Sequence, residues 1–219
     1  MREVTAYNWV PDVAQGHVKD LRVRWALEEA GLPYAERLID HQQKLQPEHL
    51  KRQPFAQVPA YNDGAADMFE SGAIVMRIAE SSETLMPRDE AGRARTMSWA
   101  FAALNSIEPF VMKVSWTELF WPDAPWAPAY LVHARGMLGG RLAQLEQWLE
   151  RRDYLEGRFT AGDLLMASVL RDLERHNILP GYPNVEAFMK RCTGRPAFAR
   201  ALEAQLKVFA AHPPQPVGA

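Results

Sequence analysis

Gln57-Val58-Pro59-Ala60-Tyr61-Asn62-Asp63-Gly64-Ala65-Ala66-Asp67-Met68-Phe69-Glu70-Ser71-Gly72-Ala73-Ile74 reads as a β-hairpin that runs into a helix. Val58–Tyr61 is a short strand entered through a proline, and Asp63-Gly64 is a strong turn signal. Met68-Phe69 starts the return strand, and Glu70-Ser71 ends it and opens a helix through Gly72, Ala73, Ile74 and Val75. Pro59 at the mouth of a strand cannot donate to a sheet, and an X-Pro bond can be cis. Such a kink leaves the backbone N–H and C=O of Val58 free for an extended group from outside. A serine at a helix start offers an anion-binding N-terminus, and the carboxylate beside it can take an ammonium. The two ends of the hairpin together suit one end of a peptide-like zwitterion.

Outside the hairpin, composition sets the limits. A chain of 219 residues can bury a good core as one large domain or two small ones. With 47% hydrophobic and 24% charged residues it has the balance of a soluble globular protein. A net charge of −2 without a basic stripe argues against nucleic acid as the main partner. The apolar runs are far shorter than the roughly 20 residues of a membrane span, so no membrane association is expected. The first residues, Met-Arg-Glu-Val-Thr, carry no apolar signal core, and the expected home is the cytoplasm. The lone cysteine, Cys192, excludes an intramolecular disulfide and a thiolate zinc site, and no metal site is expected.

The two halves differ in texture. Val4–Tyr7 reads as a first strand, followed by a loop with Pro11 and Gly16. Val23, Ala26, Leu27 and Ala30 recur at helical spacing and predict a helix at about 19–30 with one apolar face, stopped by Gly31 and Pro33. Ala35–Ile39 is a second strand, and the polar stretch 40–56 is a loop with room for one short helix. With the hairpin and a helix at about 71–80 the order is β-α-β-(α)-β-β-α, a mixed sheet with helices on its faces. Beyond Ser81 strand signals nearly vanish, and helices are predicted at about 90–113, 128–151, 161–176, 184–193 and 196–211. The expected organisation is therefore an α/β domain at 1–81, a linker at 82–89, an all-α domain at 90–211 and a flexible tail at 212–219.

Phe159-Thr160-Ala161-Gly162-Asp163-Leu164 reads as a capping box. Thr160 is the N-cap, Asp163 reaches back to the Thr160 backbone, and Phe159 with Leu164 forms a hydrophobic staple. The nearly unbroken apolar run from Leu164 to Leu170 places this helix at the centre of the helical half.

Three separated segments now resemble one family. They are Arg24–Tyr34, then Pro54–Ala60 with Phe69–Ile74, then Tyr154–Asp163, and in this order they resemble the cytosolic glutathione transferases. The resemblance implies a thioredoxin-like N-terminal domain, an all-helical C-terminal domain and a homodimer. It implies a cis Pro59 and a Val58 backbone paired with the cysteinyl part of glutathione, with Glu70 and Ser71 holding the γ-glutamyl ammonium and carboxylate. Lys44 and Gln57 match positions that reach the glycyl end. Glutathione is then a co-substrate, and no further cofactor is implied.

A free thiol near pKa 8.5 needs a hydrogen bond, a cation or a helix N-terminus to ionise at neutral pH. The family normally supplies a Tyr, Ser or Cys just after the first strand. Here the stretch from Asn8 to Asp20 contains no Ser, Thr or Cys and is longer than usual. Tyr7 is read as a strand residue with a core role, its hydroxyl reaching the site only if the strand ends early. The candidates for touching the sulfur are Asn8, Trp9, Gln15 and His17. A small apolar second substrate is expected between the domains. Trp116, Phe120, Trp121 and Trp126 are read as an aromatic, proline-stiffened connection between two helices, and Phe101, Asn105 and Glu108 as one helix face. Two other readings stay open: a non-catalytic module that binds glutathione or a protein, and a glutathionyl-disulfide reductase that works without its own cysteine.

Overall fold

In the computed structural model, which describes residues 1–213, the chain forms two compact units. The first holds β1 (Arg2–Tyr7), α1 (Asp20–Ala30), β2 (Tyr34–Ile39), α2 (Pro47–Leu50), β3 (Ala60–Asn62), β4 (Asp67–Phe69) and α3 (Ser71–Ala79). The second, Glu83–Arg195, holds α4 (Glu90–Phe101), α5 (Glu108–Phe120), α6 (Ala127–Leu149), α7 (Ala161–Leu170) and α8 (Pro183–Thr193). The last helix, α9 (Pro196–Ala211), returns to the first unit. Its predicted membership of the helical half is thereby corrected. Of the expected tail, residues 214–219 lie outside the described residues.

The sheet is mixed, with strands in the order β2-β1-β3-β4. β2 runs parallel to β1, and β3 and β4 continue antiparallel, with Val4 opposite Tyr61 and Tyr61 opposite Met68. The hairpin turn forms because Asn62 and Asp63 bond their own backbone. Asn62 Oδ1 accepts from the Gly64 N–H at 2.8 Å, and Asp63 Oδ1 accepts from Ala65 and Ala66 at 2.9 and 3.0 Å. Arg77 on α3 donates to the other Asp63 oxygen at 3.0 Å, which ties the turn to the helix that follows.

Gly31 ends α1 at φ 64°, and the Leu32 N–H closes onto the Leu27 C=O at 2.9 Å, a left-handed stop that a glycine adopts without strain. The single apolar face expected for α1 is too narrow a description. Every residue from Asp20 to Leu27 is buried. The reason is α9, which covers the side of α1 away from the sheet. Trp25 meets Phe198 edge-on at 4.8 Å, and Arg200 pairs with Glu28 at 2.7 Å.

In the second unit the helix predicted at about 90–113 runs on to Phe120 and is interrupted. Residues Ala102–Ile107 form a π-helical segment, followed by Pro109, whose ring cannot continue a regular ladder. Trp116 and Phe120 therefore lie on α5 itself, and only residues from Trp121 to Trp126 connect it to α6. The helix predicted at about 161–176 is α-helical to Leu170 and tightens to a 3-10 turn over Arg171–His176. His176 braces this turn. Its Nδ1–H donates to Glu118 at 2.5 Å, its Nε2 accepts from the Ser115 hydroxyl at 2.9 Å, and Arg135 on α6 donates to the same carboxylate at 2.5 Å.

The capping box forms as expected, and α7 is buried along nearly its whole length. The Asp163 carboxylate accepts from the Thr160 N–H, the Thr160 hydroxyl and the Leu155 N–H, each at 2.8 Å. Phe159 and Leu164, the staple pair, are both buried, and so is Cys192 on α8. At Gly162 a Cβ would come within 2.8 Å of the Trp99 Cβ, so glycine lets α7 close on α4. Among the described residues no helix is long and apolar enough to cross a membrane.

Asp163→Ala leaves three donors unmet at the start of the central helix and should lower the unfolding free energy by roughly 2–4 kcal/mol. Burial pushes the Asp163 pKa up from 3.8 to about 6, against the pull of its hydrogen bonds from Leu155 and Thr160. The folded chain thus holds this proton more tightly than the unfolded one. The stability so gained is fully present below pH 3.8 and is lost as pH rises through about 6. Denaturant titrations of the native protein and Asp163→Asn between pH 3.5 and 7 check this, and the falling component should be missing from the variant.

Candidate active site

The outer end of the hairpin is the best-built part of the first unit. The Val58–Pro59 peptide is cis, as the resemblance implies. The ladder ends with Thr5 opposite Ala60, so the strand starts two residues later than expected and Val58 stands beyond it, buried. At the other end Glu70 takes φ 68° and ψ 110°. A non-glycine residue held there costs about 1–3 kcal/mol, the kind of strain that collects at ligand sites. The conformation presents the Glu70 side chain to solvent while its C=O already accepts the Ile74 N–H at 3.0 Å. Ser71 opens α3 and is buried, and its Oγ accepts from the Arg22 guanidinium at 3.4 Å. The Ser71 hydroxyl proton and the first N–H groups of α3 are left for an anion. Arg22 has no motif of its own. The signal that could have found it is a cation on a helix that is buried all round.

A second group gathers at the end of β1. Tyr7 packs against the buried cluster of Val10, Val208 and Phe209, the core role expected of it. It is the last residue of its strand, and its ring stacks on His41 at 4.5 Å, with the Lys44 ammonium 5.9 Å from the same ring. Burial, helped by the charge of Asp20, raises the Tyr7 pKa, so its phenol stays protonated at neutral pH. Burial and then the neighbouring Lys44 lower the His41 pKa, which keeps that imidazole neutral near pH 7. Gln57 has an exposed side chain, while its C=O takes a hydrogen bond of 2.8 Å from Nε2 of the buried His49 on α2. A carbonyl only accepts, so Nε2 carries the proton, and Nδ1 is left without a partner among the described residues. His49 is thus a strut under the peptide that precedes Val58. Neither His41 nor His49 stands out in a polar loop until the fold places it.

The stretch after β1 is held by its own backbone and by α9. A 3-10 turn forms at Asp12–Ala14, and Val10 packs against Val208 and Phe209 with Trp9 beside them. Gln15 spends its amide on its own loop, donating to the Val10 C=O at 3.3 Å and to Asp12 Oδ1 at 3.0 Å. That removes it as a donor to a thiolate. Asn8 anchors through its N–H to the Ile39 C=O at 2.9 Å. Its half-buried carboxamide makes no hydrogen bond among the described residues. His17 is half-buried, with its N–H on the Ala14 C=O at 3.0 Å.

The second unit carries a cavity of about 470 Å³ lined by Met112, Lys113, Trp116, Trp121, Trp126 and Tyr130, among others. Phe120 stacks edge-on to both Trp116 and Trp121 at its margin. Trp116 and Phe120 are thus brought together, whereas Phe101 and Asn105 are exposed and line no part of this cavity. The π-helical segment breaks the spacing that put them on one face with Glu108, which is buried.

His49→Phe keeps an aromatic ring but removes the donor to Gln57, and should lower the unfolding free energy by about 1–2 kcal/mol. His49→Gln, whose amide can donate, should recover part of it. Urea denaturation of the three proteins measures this, and equal losses in both variants would show that ring packing alone matters.

Comparison with known proteins agrees with this geometry. The family description "Glutathione S-transferase, N-terminal domain" matches residues 3–80, and "Glutathione S-transferase, C-terminal domain" matches residues 107–196. The chain is 30% identical over 201 residues to glutathione S-transferase 3 of Zea mays, covering 84% of this chain and 88% of that one. It is 30% identical over 193 residues to the disulfide-bond oxidoreductase YfcG of Escherichia coli, covering 82% and 88%. In fold it is similar to glutathione transferase F2 of Populus trichocarpa, with a TM-score of 0.81, 23% identity and coverage of 94% and 100%. A glutathione transferase family member from Pseudomonas fluorescens, solved with two glutathione bound, gives a TM-score of 0.80 at 23% identity and covers 92% of each chain. With relatives at this identity along most of both chains, and a site built at the hairpin, this protein belongs to the glutathione S-transferase family.

Proposed function

We propose that the protein binds glutathione in the first unit, ionises its thiol and directs the sulfur to a small apolar electrophile. The observation that carries this reading is the Glu70-Ser71 corner, with Glu70 strained at φ 68° and Ser71 at the α3 N-terminus beside Arg22. The γ-glutamyl carboxylate accepts from the Ser71 hydroxyl and the first α3 N–H groups, with Arg22 adding positive charge. The ammonium pairs with Glu70. The cysteinyl part extends along Val58 and pairs with its N–H and C=O, and the glycyl carboxylate meets Lys44, with His41 and Gln57 beside it.

Asn8 is the donor best placed for the sulfur. It follows β1 directly, and its carboxamide is uncommitted among the described residues, whereas Gln15 is occupied and Trp9 packs on Val10. A hydrogen bond from Asn8 favours the thiolate over the thiol, and holding both reactants in place supplies much of the acceleration. The aromatic cavity on α5 holds the electrophile. The working form is a homodimer in the cytoplasm. The exposed, edge-on pair Phe55 and Phe69, with ring centroids 6.0 Å apart, supports self-association.

A second reading uses the same site for glutathionyl-disulfide reduction. It is favoured by the similarity to the Escherichia coli oxidoreductase and by Cys192 being buried. The bound thiolate would attack the glutathionyl sulfur of a mixed disulfide, giving glutathione disulfide and releasing the other thiol. Assays with an aryl halide, a peroxide and a mixed disulfide separate these reactions. Tight glutathione binding without turnover of any of them would leave only a binding module.

Two expectations follow. Ser71→Ala and Glu70→Ala should each weaken glutathione about tenfold to a hundredfold, the loss of one charge-assisted hydrogen bond of about 1.5–3 kcal/mol, as read by calorimetry. Asn8→Ala should leave glutathione affinity nearly unchanged and lower kcat, with the bound thiol titrating at higher pH by thiolate absorbance. An unmoved thiol titration would remove Asn8 from the mechanism.

A further inference from the structure

The strap that leads into Val58 is held by two almost completely buried polar side chains, His49 on α2 at 3% exposure and Gln53 just beyond it at 2%. Gln53 fixes the near half of the strap. Its Oε1 accepts from the Phe55 N–H at 2.7 Å and its C=O from the Ala56 N–H at 3.2 Å. Between these bonds Ala56 is kept at φ 55°, a left-handed conformation uncommon for a residue with a side chain. His49 fixes the far half, because its Nε2–H donates to the Gln57 C=O at 2.8 Å. The two supports are one frame, since the Gln53 N–H donates to the His49 C=O at 2.9 Å.

The consequence falls on the next donor along the chain. A trans peptide unit is planar, and its C=O and N–H point in opposite directions. The unit between Gln57 and Val58 is trans, so with its C=O drawn to His49 the Val58 N–H faces away from α2. That N–H makes no hydrogen bond among the described residues, although Val58 is only 8% exposed. Backbone donors on buried residues are rarely left unpaired, and one that is marks a place for an acceptor from outside. Without His49 the unit could rock between its neighbours and would have to be ordered when a ligand arrives. With the carbonyl tied down beforehand, that cost is removed from binding.

We propose that His49 is a positioning residue for glutathione. It touches no part of the ligand, and by anchoring the Gln57 C=O it aims the Val58 N–H at an acceptor of the bound tripeptide. The proposal rests on the reading that the first unit binds glutathione with its cysteinyl part along Val58.

The test compares glutathione binding, by calorimetry, in the native protein, His49→Phe and His49→Gln. His49→Phe keeps a ring but cannot hold the carbonyl. It should bind glutathione about threefold to tenfold more weakly, the value of one neutral hydrogen bond. In steady-state assays with an aryl halide the loss should fall on KM for glutathione and not on kcat. His49→Gln, whose amide can donate, should recover most of the affinity. Ile78→Val on α3, at a site 2% exposed, controls for lost stability and should bind glutathione as the native protein does. An affinity unchanged in His49→Phe, an equal loss in His49→Gln, or a loss that Ile78→Val reproduces overturns the proposal. Amide exchange by NMR supplies a second check. Glutathione should slow exchange at the Val58 N–H of the native protein, and an unprotected Val58 overturns the proposal equally. A native protein that binds no glutathione sinks the proposed function and this role together, whereas binding indifferent to His49 sinks the positioning role alone.

Discussion

A carboxylate shut away from water at the first turn of α1 governs how the first unit is assembled. Asp20 accepts from Arg24 Nε at 2.7 Å and from Gln205 Nε2 at 2.7 Å. Unpaired, such a group would be prohibitively costly to bury, so both partners must be in place. Arg24 is local, one turn along the helix, and reaches on to Glu36. Gln205 comes from α9, and it also donates to the Val18 C=O at 3.2 Å. One side chain from the end of the chain thus ties down both the start of α1 and the last residues of the loop after β1. Burial raises the Asp20 pKa while Arg24 opposes it, the balance expected of an acid that is satisfied but desolvated.

That constraint shapes the chemistry. The loop from Asn8 to Lys19 has no Ser, Thr or Cys to offer a thiol, and much of its polar capacity goes into holding itself in place. Gln15 closes the loop on Val10 and Asp12, and Val10 and Trp9 pack against α9. What is left uncommitted in this region is small: the carboxamide of Asn8, with the Tyr7 ring stacked on His41 and Lys44 beside it. The hairpin, in contrast, spends strain to present its groups. Glu70 is held at a positive φ, and Ser71 is buried against Arg22. In the proposed reading, binding and activation fall to separate segments of the first unit.

The helical unit follows a different logic. Its centre is α7, apolar throughout and closed by the Asp163 box. At the end of α5, in contrast, the aromatic residues Trp116 and Phe120 stand exposed. The π-helical segment between α4 and α5 changes which side chains share a face, and Phe101 and Asn105 line no part of the aromatic cavity.

The sequence by itself determined the parts that depend on neighbours along the chain. The hairpin, its turn residues, the Gly31 stop, the Thr160–Asp163 box and the Glu70-Ser71 corner all read out locally, because turn and cap chemistry is decided within four or five residues. The order of strands and helices in the first half was legible for the same reason. Tertiary structure alone decided the rest. Arg22, His41 and His49 became site residues only when α1, α2 and the end of β1 were packed around the hairpin. Tyr7 packs on the Val10 cluster while its ring also stacks on His41, and Gln15 spends its amide on Val10 and Asp12, which lay within reach. The docking of α9 on α1 could not be read from either helix, since it turns on a glutamine and an aspartate 185 residues apart. A buried charge chooses its partner by proximity in the folded chain, and periodicity along the sequence carries no record of that choice.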